Sequence, residues 1–388
     1  MSKQIFIVNE ATLSRLLFEA VLGRKPAVFA IIPWFRLNRW WLESLVRLLR
    51  RHDYVAAKET IDQDMPWIEG VPGRGIYNDV FANVENAARL RFGVDSIKSW
   101  VDGYDYPARK AVNWWIGELT GIFLLVEWLS ENHSNAGVWK IYGVPRDFAW
   151  IWKMQMKSDL DCRVHLSRPW SMVINGITAM GMLFFGAFWL LMRTRPTVRA
   201  KRYRLGADGR APYDRPLLES LVDEPKDLII YHRNKELARA ATWLRWPSCQ
   251  NTDGRTAFFD LPAMIWELAS DCMALWIRFT RHEPYLFSVI VAQAVKRQMF
   301  CALFRRFPVS YFWFRDDYSI DHIVRNQEIR RRGGILLGVN HGLPRVTYFH
   351  AWREIDADIY FSFGTYLYEH YYKEAWPPHL RLVPIGNL

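Results

Sequence analysis

His341 follows the apolar run Ile335–Val339, in the order Asn340-His341-Gly342-Leu343-Pro344. Strand-forming residues that give way to a histidine and two backbone-bending residues are arranged to present an imidazole at a strand end. An imidazole titrates near neutral pH, so it can take a proton from a hydroxyl as a general base. Gly342 would let a substrate approach the backbone. A histidine beside glycine can also close a turn by bonding to a nearby carbonyl, and the residue types alone admit both roles.

Other arrangements that would give a histidine a partner are absent. In the NHxxxxD pattern of membrane acyltransferases the aspartate stands five residues after the histidine. That offset holds Val346 after His341, Gln327 after His322 and Ile355 after His350. Asp356-Ala357-Asp358 has the form of a metal-binding DxD, but it precedes the apolar run that begins at Ile359 instead of closing one, so a turn or helix end is expected. The stretch "FRDDYSIDHIVRN" concentrates Asp317, Asp321, His322 and Arg325 just after a strand-like run. Asp321 and Arg325 are four apart and predict an i,i+4 ion pair on a helix. The functional expectation is that Asp317 and His322 bind an acceptor on the same rim as His341, with Asp317 as a carboxylate partner. Arg330, Arg331 and Arg332 read as a helix C-terminus. Glu10, just past the first strand, is a further acceptor-side candidate.

The elements that would position these residues alternate. Gln4–Asn9 is strand-like, 11–22 has helical apolar spacing that Gly23 stops, and Ala27–Ile32 is a second buried-strand run ended by Pro33. No GxGxxG follows the first strand, so no dinucleotide fingerprint is present. Residues 53–305 read as mainly helical and Trp-rich, with a β-like interruption at 227–231. From Val309–Phe314 onward the order is strand, amphipathic helix, strand, loop, strand, helix, strand. This predicts an α/β, doubly wound sheet built from 1–52 and 306–388, with 53–305 as a large helical insertion.

The order of events after residue 309 resembles bacterial GT-B surface-polymer transferases: teichoic-acid polymerases, capsule glycosyltransferases and related enzymes. Those families share a strand leading to QHG or WHG-x-P/K, then an aspartate before a hydrophobic strand that ends in serine, then a strand ending in x-Gly. The matching residues are His341-Gly342-Leu343-Pro344, Asp358-Ile359-Tyr360-Phe361-Ser362 and Val383-Pro384-Ile385-Gly386. Residue 340 is Asn, where those relatives often carry an aromatic residue or Gln. The resemblance covers 309–388 and, more weakly, the opening βαβ.

It implies a Rossmann-like GT-B N-terminal domain, the acceptor side, with His341 facing the cleft as base and Gly342 and Pro344 beside it. The implied substrates are a nucleotide-activated sugar and a lipid-linked or polysaccharide acceptor, with no metal and no cofactor beyond the sugar donor. No Gly-rich phosphate loop and no donor-type Glu/His segment follows Gly386, so a donor-binding domain is expected from a partner chain or from sequence outside this chain. A membrane-associated scaffold with a degenerate α/β domain is the alternative reading.

Composition agrees with this direction. The chain carries 20 tryptophans and a formal net charge of +11. Basic, Trp-rich chains suit nucleic acid, anionic membranes, or anionic sugars and nucleotides. No nucleic-acid-reading signature such as an RRM octamer or a basic-heptad run is present, which argues against the first. Cys162, Cys249, Cys272 and Cys301 are scattered without metal-ligand spacing. The N-terminus lacks a secretory pattern. Residues 171–192 hold no charge and precede the basic run "RTRPTVRAKRYRLGADGR". That segment is long enough to span a bilayer; it reads equally as a buried core helix, as a membrane-contacting helix, or as a hairpin with 112–128. The expected location is the cytoplasmic side of the cell membrane.

Overall fold

The computed structural model describes residues 4–9, 27–32, 53–56, 103–132, 138–155, 161–164, 168–208, 215–232, 246–315, 319–340 and 354–386 apart from 367–368, 370–371 and 374, together with a few positions between 83 and 91. The chain divides into two compact units, each with its own parallel sheet. The first comprises chiefly Met1–Asp95 and Trp114–Met172; the second comprises Ser96–Asn113, Val173–Pro344 and Tyr348–Leu388.

The first unit contains β1 (Gln4–Asn9), β2 (Ala27–Ile32), β3 (Asp53–Ala56), β4 (Val138–Val144) and β5 (Asp161–Val164). They pair in parallel in the order β3-β2-β1-β4-β5. β1 and β2 are continuous Val/Ile/Phe-rich runs, the composition typical of parallel strands. Helix α1 (Asp105–Asn132) buries Trp115, Ile116, Leu119 and Phe123. Phe123 lies 4.7 Å from Phe148 and 5.3 Å from Trp152 on helix α2 (Arg146–Gln155). Asp147, in the first turn of α2, accepts hydrogen bonds from Trp115 Nε1 at 3.3 Å and Arg91 Nε at 3.2 Å. The 112–128 run is thus helical, and its described apolar residues from Val112 to Phe123 are packed on protein.

Besides the first part of α1, the second unit holds most of α3 (Arg168–Met192), followed by β6 (Thr194–Arg195), β7 (Tyr203–Asp208), α4 (Arg215–Ser220), β8 (Leu228–His232), β9 (Ser248–Gln250) and β10 (Thr256–Ala257). It continues with α5 (Leu261–Phe279), α6 (Pro284–Arg306), β11 (Val309–Phe314), α7 (Asp321–Arg330), β12 (Ile335–Val339), β13 (Ile359–Ser362) and β14 (Arg381–Pro384). Seven strands form one parallel sheet, β14-β13-β12-β11-β7-β8-β9, and β6 pairs with β10 separately. Counted within the unit this is the doubly wound order, with the reversal between β7 and β11.

Strand alternation builds a core on each face. Ile229, Tyr231, Phe312, Phe314, Leu336 and Tyr360 pack with Phe300, Leu303 and Phe304 of α6. Leu228, Ile230, Trp313 and Val339 pack on the other face with Leu218 of α4. Helix α6 is enclosed, with apolar residues from Leu286 to Phe304 buried around its girth. Two described helices, α3 and α6, are long and apolar enough to cross a membrane; α6 is mostly buried and α3 mostly is not.

This arrangement corrects the single sheet expected from 1–52 and 306–388. The first stretch belongs to the five-stranded sheet and the second to the seven-stranded sheet. The 53–305 segment is no helical insertion, since it supplies β3, β4 and β5 to one sheet and β7, β8 and β9 to the other. Several of these strands carry charged residues, such as Lys140, Arg163 and Arg204, which break the apolar runs by which strands are recognised.

Candidate active site at the carboxyl edge of the seven-stranded sheet

All seven strands run parallel, so all end on one edge. In doubly wound sheets ligands bind at that edge near the order reversal, because crossovers on either side leave toward opposite faces and open a crevice. Asp208 closes β7 at the reversal, and His232 closes the adjacent β8. The register sets Asp208 against Tyr231, and Gly206 against both Ile229 and Phe312. A side chain at Gly206 would meet Phe312 at 2.8 Å and Val309 at 2.9 Å, so glycine lets these residues pack onto β7.

Arg325 of α7 is a buried cation at this edge. It is 1% exposed, and its Nη1 stands 3.4 Å from Asp208 Oδ2. Its guanidinium lies over Phe312, Phe314 and Tyr231, with centroid distances of 4.8, 5.4 and 5.9 Å. Nε donates to Asn326 Oδ1 at 3.1 Å, while Nη2 has no hydrogen-bond partner among the described residues. A buried guanidinium is costly unless paired, and here one carboxylate and three ring faces share that task.

His232 is also buried, and its Nδ1 has no partner among the described residues. Burial pushes the imidazole below its ordinary range, while the nearby Asp208 carboxylate pulls it the other way. The result is a neutral ring with an uncommitted nitrogen, able to accept a proton or a hydrogen bond.

Two elements of the resemblance, Asp358–Ser362 and Val383–Gly386, lie on and just after the neighbouring strands β13 and β14, and β12 beside them leads to Asn340, the residue before the third. Their ends line the same edge: Asn340 N–H donates to Phe361 O at 2.9 Å, and Ile385 N–H donates to Ser362 O at 2.8 Å. Ser362 spends its hydroxyl on Gly364 O at 2.7 Å, closing the turn after β13. Gly386 has φ +70°, a conformation that strains any residue with a Cβ. The chain therefore enters the His341 segment from this edge. His341, Gly342, Pro344, Asp317 and Glu10 lie outside the described residues.

His322 has a packing role. It is fully buried, stacked on Phe314, with Nδ1 donating to Ser319 O and Nε2 accepting the Asp356 N–H at 3.4 Å. The expected Asp321–Arg325 pair is replaced by two longer-range ones: Lys296 Nζ contacts Asp321 at 2.5 Å, and Arg325 turns to Asp208. Asp356 and Asp358 hold the opposite, amino edge. Arg330 bridges them at 2.8 and 2.9 Å, and Asp358 Oδ2 accepts the Leu336 N–H at 2.9 Å. Buried Lys110 and Asn113 fasten the same segment, Lys110 Nζ to Glu354 O at 2.7 Å and Asn113 Nδ2 to the Glu354 carboxylate at 2.5 Å. Among the described residues no cluster of three or more His, Cys, Asp or Glu side chains is arranged to hold a metal ion.

No family model matches the chain, and no curated protein or solved structure does either. The residues themselves must carry the functional argument.

Sequence reasoning passed over Asp208 and His232. Their signal was a single polar residue closing an apolar strand, "YRLGAD" and "LIIYH". The first was read as part of a basic run, and the strand before His232 was read one residue short.

Proposed function

We propose that this chain is a GT-B-like glycosyltransferase that moves a sugar from a nucleotide donor to a hydroxyl on a membrane- or envelope-linked acceptor. The observation that supports the reading is the pair of separate parallel sheets, with the Asp-strand-Ser and strand-x-Gly elements on adjacent strands of the second. Two Rossmann-like units in one chain are what GT-B chemistry uses, so the reading no longer calls for a partner chain to supply the second.

In the expected direct displacement, the acceptor oxygen forms a bond to the anomeric carbon as the bond to the nucleotide phosphate breaks. The departing phosphate keeps the electron pair, and the acceptor proton passes to an imidazole. His341 is the first candidate for that base and His232 the second. The ends of β8 and β12 are three strand spacings apart, roughly 14 Å.

The test is turnover of UDP-, GDP-, CMP- and CDP-linked sugars with membrane acceptor fractions, comparing wild type with His341→Ala and His232→Ala. Loss of transfer in His341→Ala with donor binding intact supports the reading. Absence of both binding and turnover for every donor in the wild type replaces it with a non-catalytic scaffold.

A further inference from the structure

Helix α3 holds no charged residue between Arg168 and Arg193, and it presents two different sides. One side is packed on protein. Asn175 Nδ2 donates to Thr280 O at 2.8 Å and His282 O at 3.0 Å, and Ala179 and Leu190 are buried. A side chain at Gly186 would meet Leu268 of α5 at 2.6 Å and Val295 of α6 at 3.3 Å, and one at Gly176 would meet Trp276 of α5 at 3.5 Å. These contacts set α3 antiparallel to α5.

The other side of α3 is apolar and uncovered. Val173, Ile177, Met180, Phe184, Phe188 and Leu191 recur at helical spacing and are all exposed. Helix α5 repeats the plan. Met264, Leu268, Cys272, Leu275 and Phe279 face inward, while Trp266, Met273 and Ile277 face out, Trp266 at 77% exposure. A helix on the surface of a globular protein ordinarily turns charge outward. Two adjacent helices with apolar outer stripes exceed the isolated exposed residues that soluble proteins tolerate.

The end of this face is aromatic and strongly basic. β6 pairs with β10, setting Thr194 against Thr256 and Arg195 against Ala257. The two residues after β10 are Phe258 and Phe259, exposed and packed edge to face at 5.9 Å, with Phe259 at 88% exposure. Arg193, Arg195, Arg255 and Arg306 gather around the same ladder; besides burial, their mutual repulsion holds Arg255 below the ordinary arginine range. Asp253 offsets part of that charge, and Asp260 is taken by Arg305 at 2.6 Å. Arg199, Lys201 and Arg202, exposed in the connection from β6 to β7, add further positive charge.

We propose that the outer stripes of α3 and α5, with the Phe258-Phe259 tip, form a face that lies in the plane of an anionic membrane, and that the arginines around the β6–β10 ladder hold the phosphates of its lipid headgroups. Charge complementarity chooses the occupant. An apolar face closed at one end by arginines matches a layer whose interior is hydrocarbon and whose surface is negative. One side of α3 is packed on protein from Asn175 to Leu190, so lipid can meet only its outer stripe. The proposal stands on this face alone and does not depend on the transferase reading.

The test is cosedimentation of the full chain with vesicles of phosphatidylcholine alone and of phosphatidylcholine with phosphatidylglycerol, without any nucleotide sugar. Binding is expected to the anionic vesicles, weakening as salt rises, with a blue shift of tryptophan emission. Phe258→Ser with Phe259→Ser should abolish the shift. Arg195→Ala and Arg255→Ala should each weaken binding about fivefold, and unchanged circular dichroism would show that the variants fold. Three results would overturn the proposal: equal affinity for neutral vesicles, retention in the membrane after alkaline extraction, or a dimer that Phe184→Glu converts to monomer while vesicle binding is absent.

Discussion

Arg325 pairs with Asp208, 117 residues earlier in the chain, and not with Asp321 one helical turn away. The i,i+4 spacing would have given an exposed pair worth a few tenths of a kcal/mol. Burial of Arg325 beneath β7 and β11 demands a stronger compensation, and Asp208 at the end of β7 provides it. The pair joins α7 to the strand at which the sheet reverses its order.

Removing one partner should therefore cost more than removing both. Arg325→Leu is expected to lower stability by about 3 kcal/mol, because it strands a buried carboxylate. Adding Asp208→Asn should recover part of that loss. Urea unfolding of the two single variants and the double variant measures the coupling; simple additivity would show that the two side chains act independently.

His232 predicts a pH dependence of stability. Burial holds its imidazole below the ordinary value of 6.5, so the unfolded chain binds a proton more readily than the folded one. The contribution is fully present above about pH 6.5 and is lost as pH falls toward the depressed folded value. His232→Gln should flatten that part of the stability profile. A profile unchanged by the substitution would mean that another group carries it.

Gly206→Ala should destabilise by about 1–3 kcal/mol, since a Cβ there would stand 2.8 Å from Phe312 and 2.9 Å from Val309. The strain falls beneath Asp208, so the Arg325 contact should loosen as well. The melting temperature of the variant measures the first effect, and the double-mutant cycle repeated in that background measures the second.

Three thiols should be inert in the folded protein. Cys249, Cys272 and Cys301 are buried, and burial pushes each thiol up, that of Cys272 to about 12. At pH 8 a disulfide reagent should label them only on unfolding. Rapid labelling of any of the three in the native state would contradict their burial.

The elements read most clearly from the residues were those whose signal is local. The runs "QIFIVN", "AVFAII", "VSYFWF" and "ILLGV" are strands because apolar residues crowd between turn formers, and each is found where the pattern predicts it. The uncharged stretch at 171–192 is a helix for the same reason. Ser362 and Gly386, too, are found at the strand ends where their order implied.

What the residues left open is non-local. An apolar strand does not name its neighbour, so nothing in "QIFIVN" announces that β1 pairs with β2 and β4 and not with strands near residue 310. Local composition likewise cannot say whether an apolar helix is covered, and only packing distinguishes enclosed α6 from half-bare α3. Asp208, His232 and Arg325 are far apart in the chain and become one edge only when parallel strands align their ends. Sequence by itself determined where strands and helices form, through short-range sterics and solvation. Tertiary structure decided which strands share a sheet and which charges meet, because those choices rest on burial summed over contacts distant in the chain.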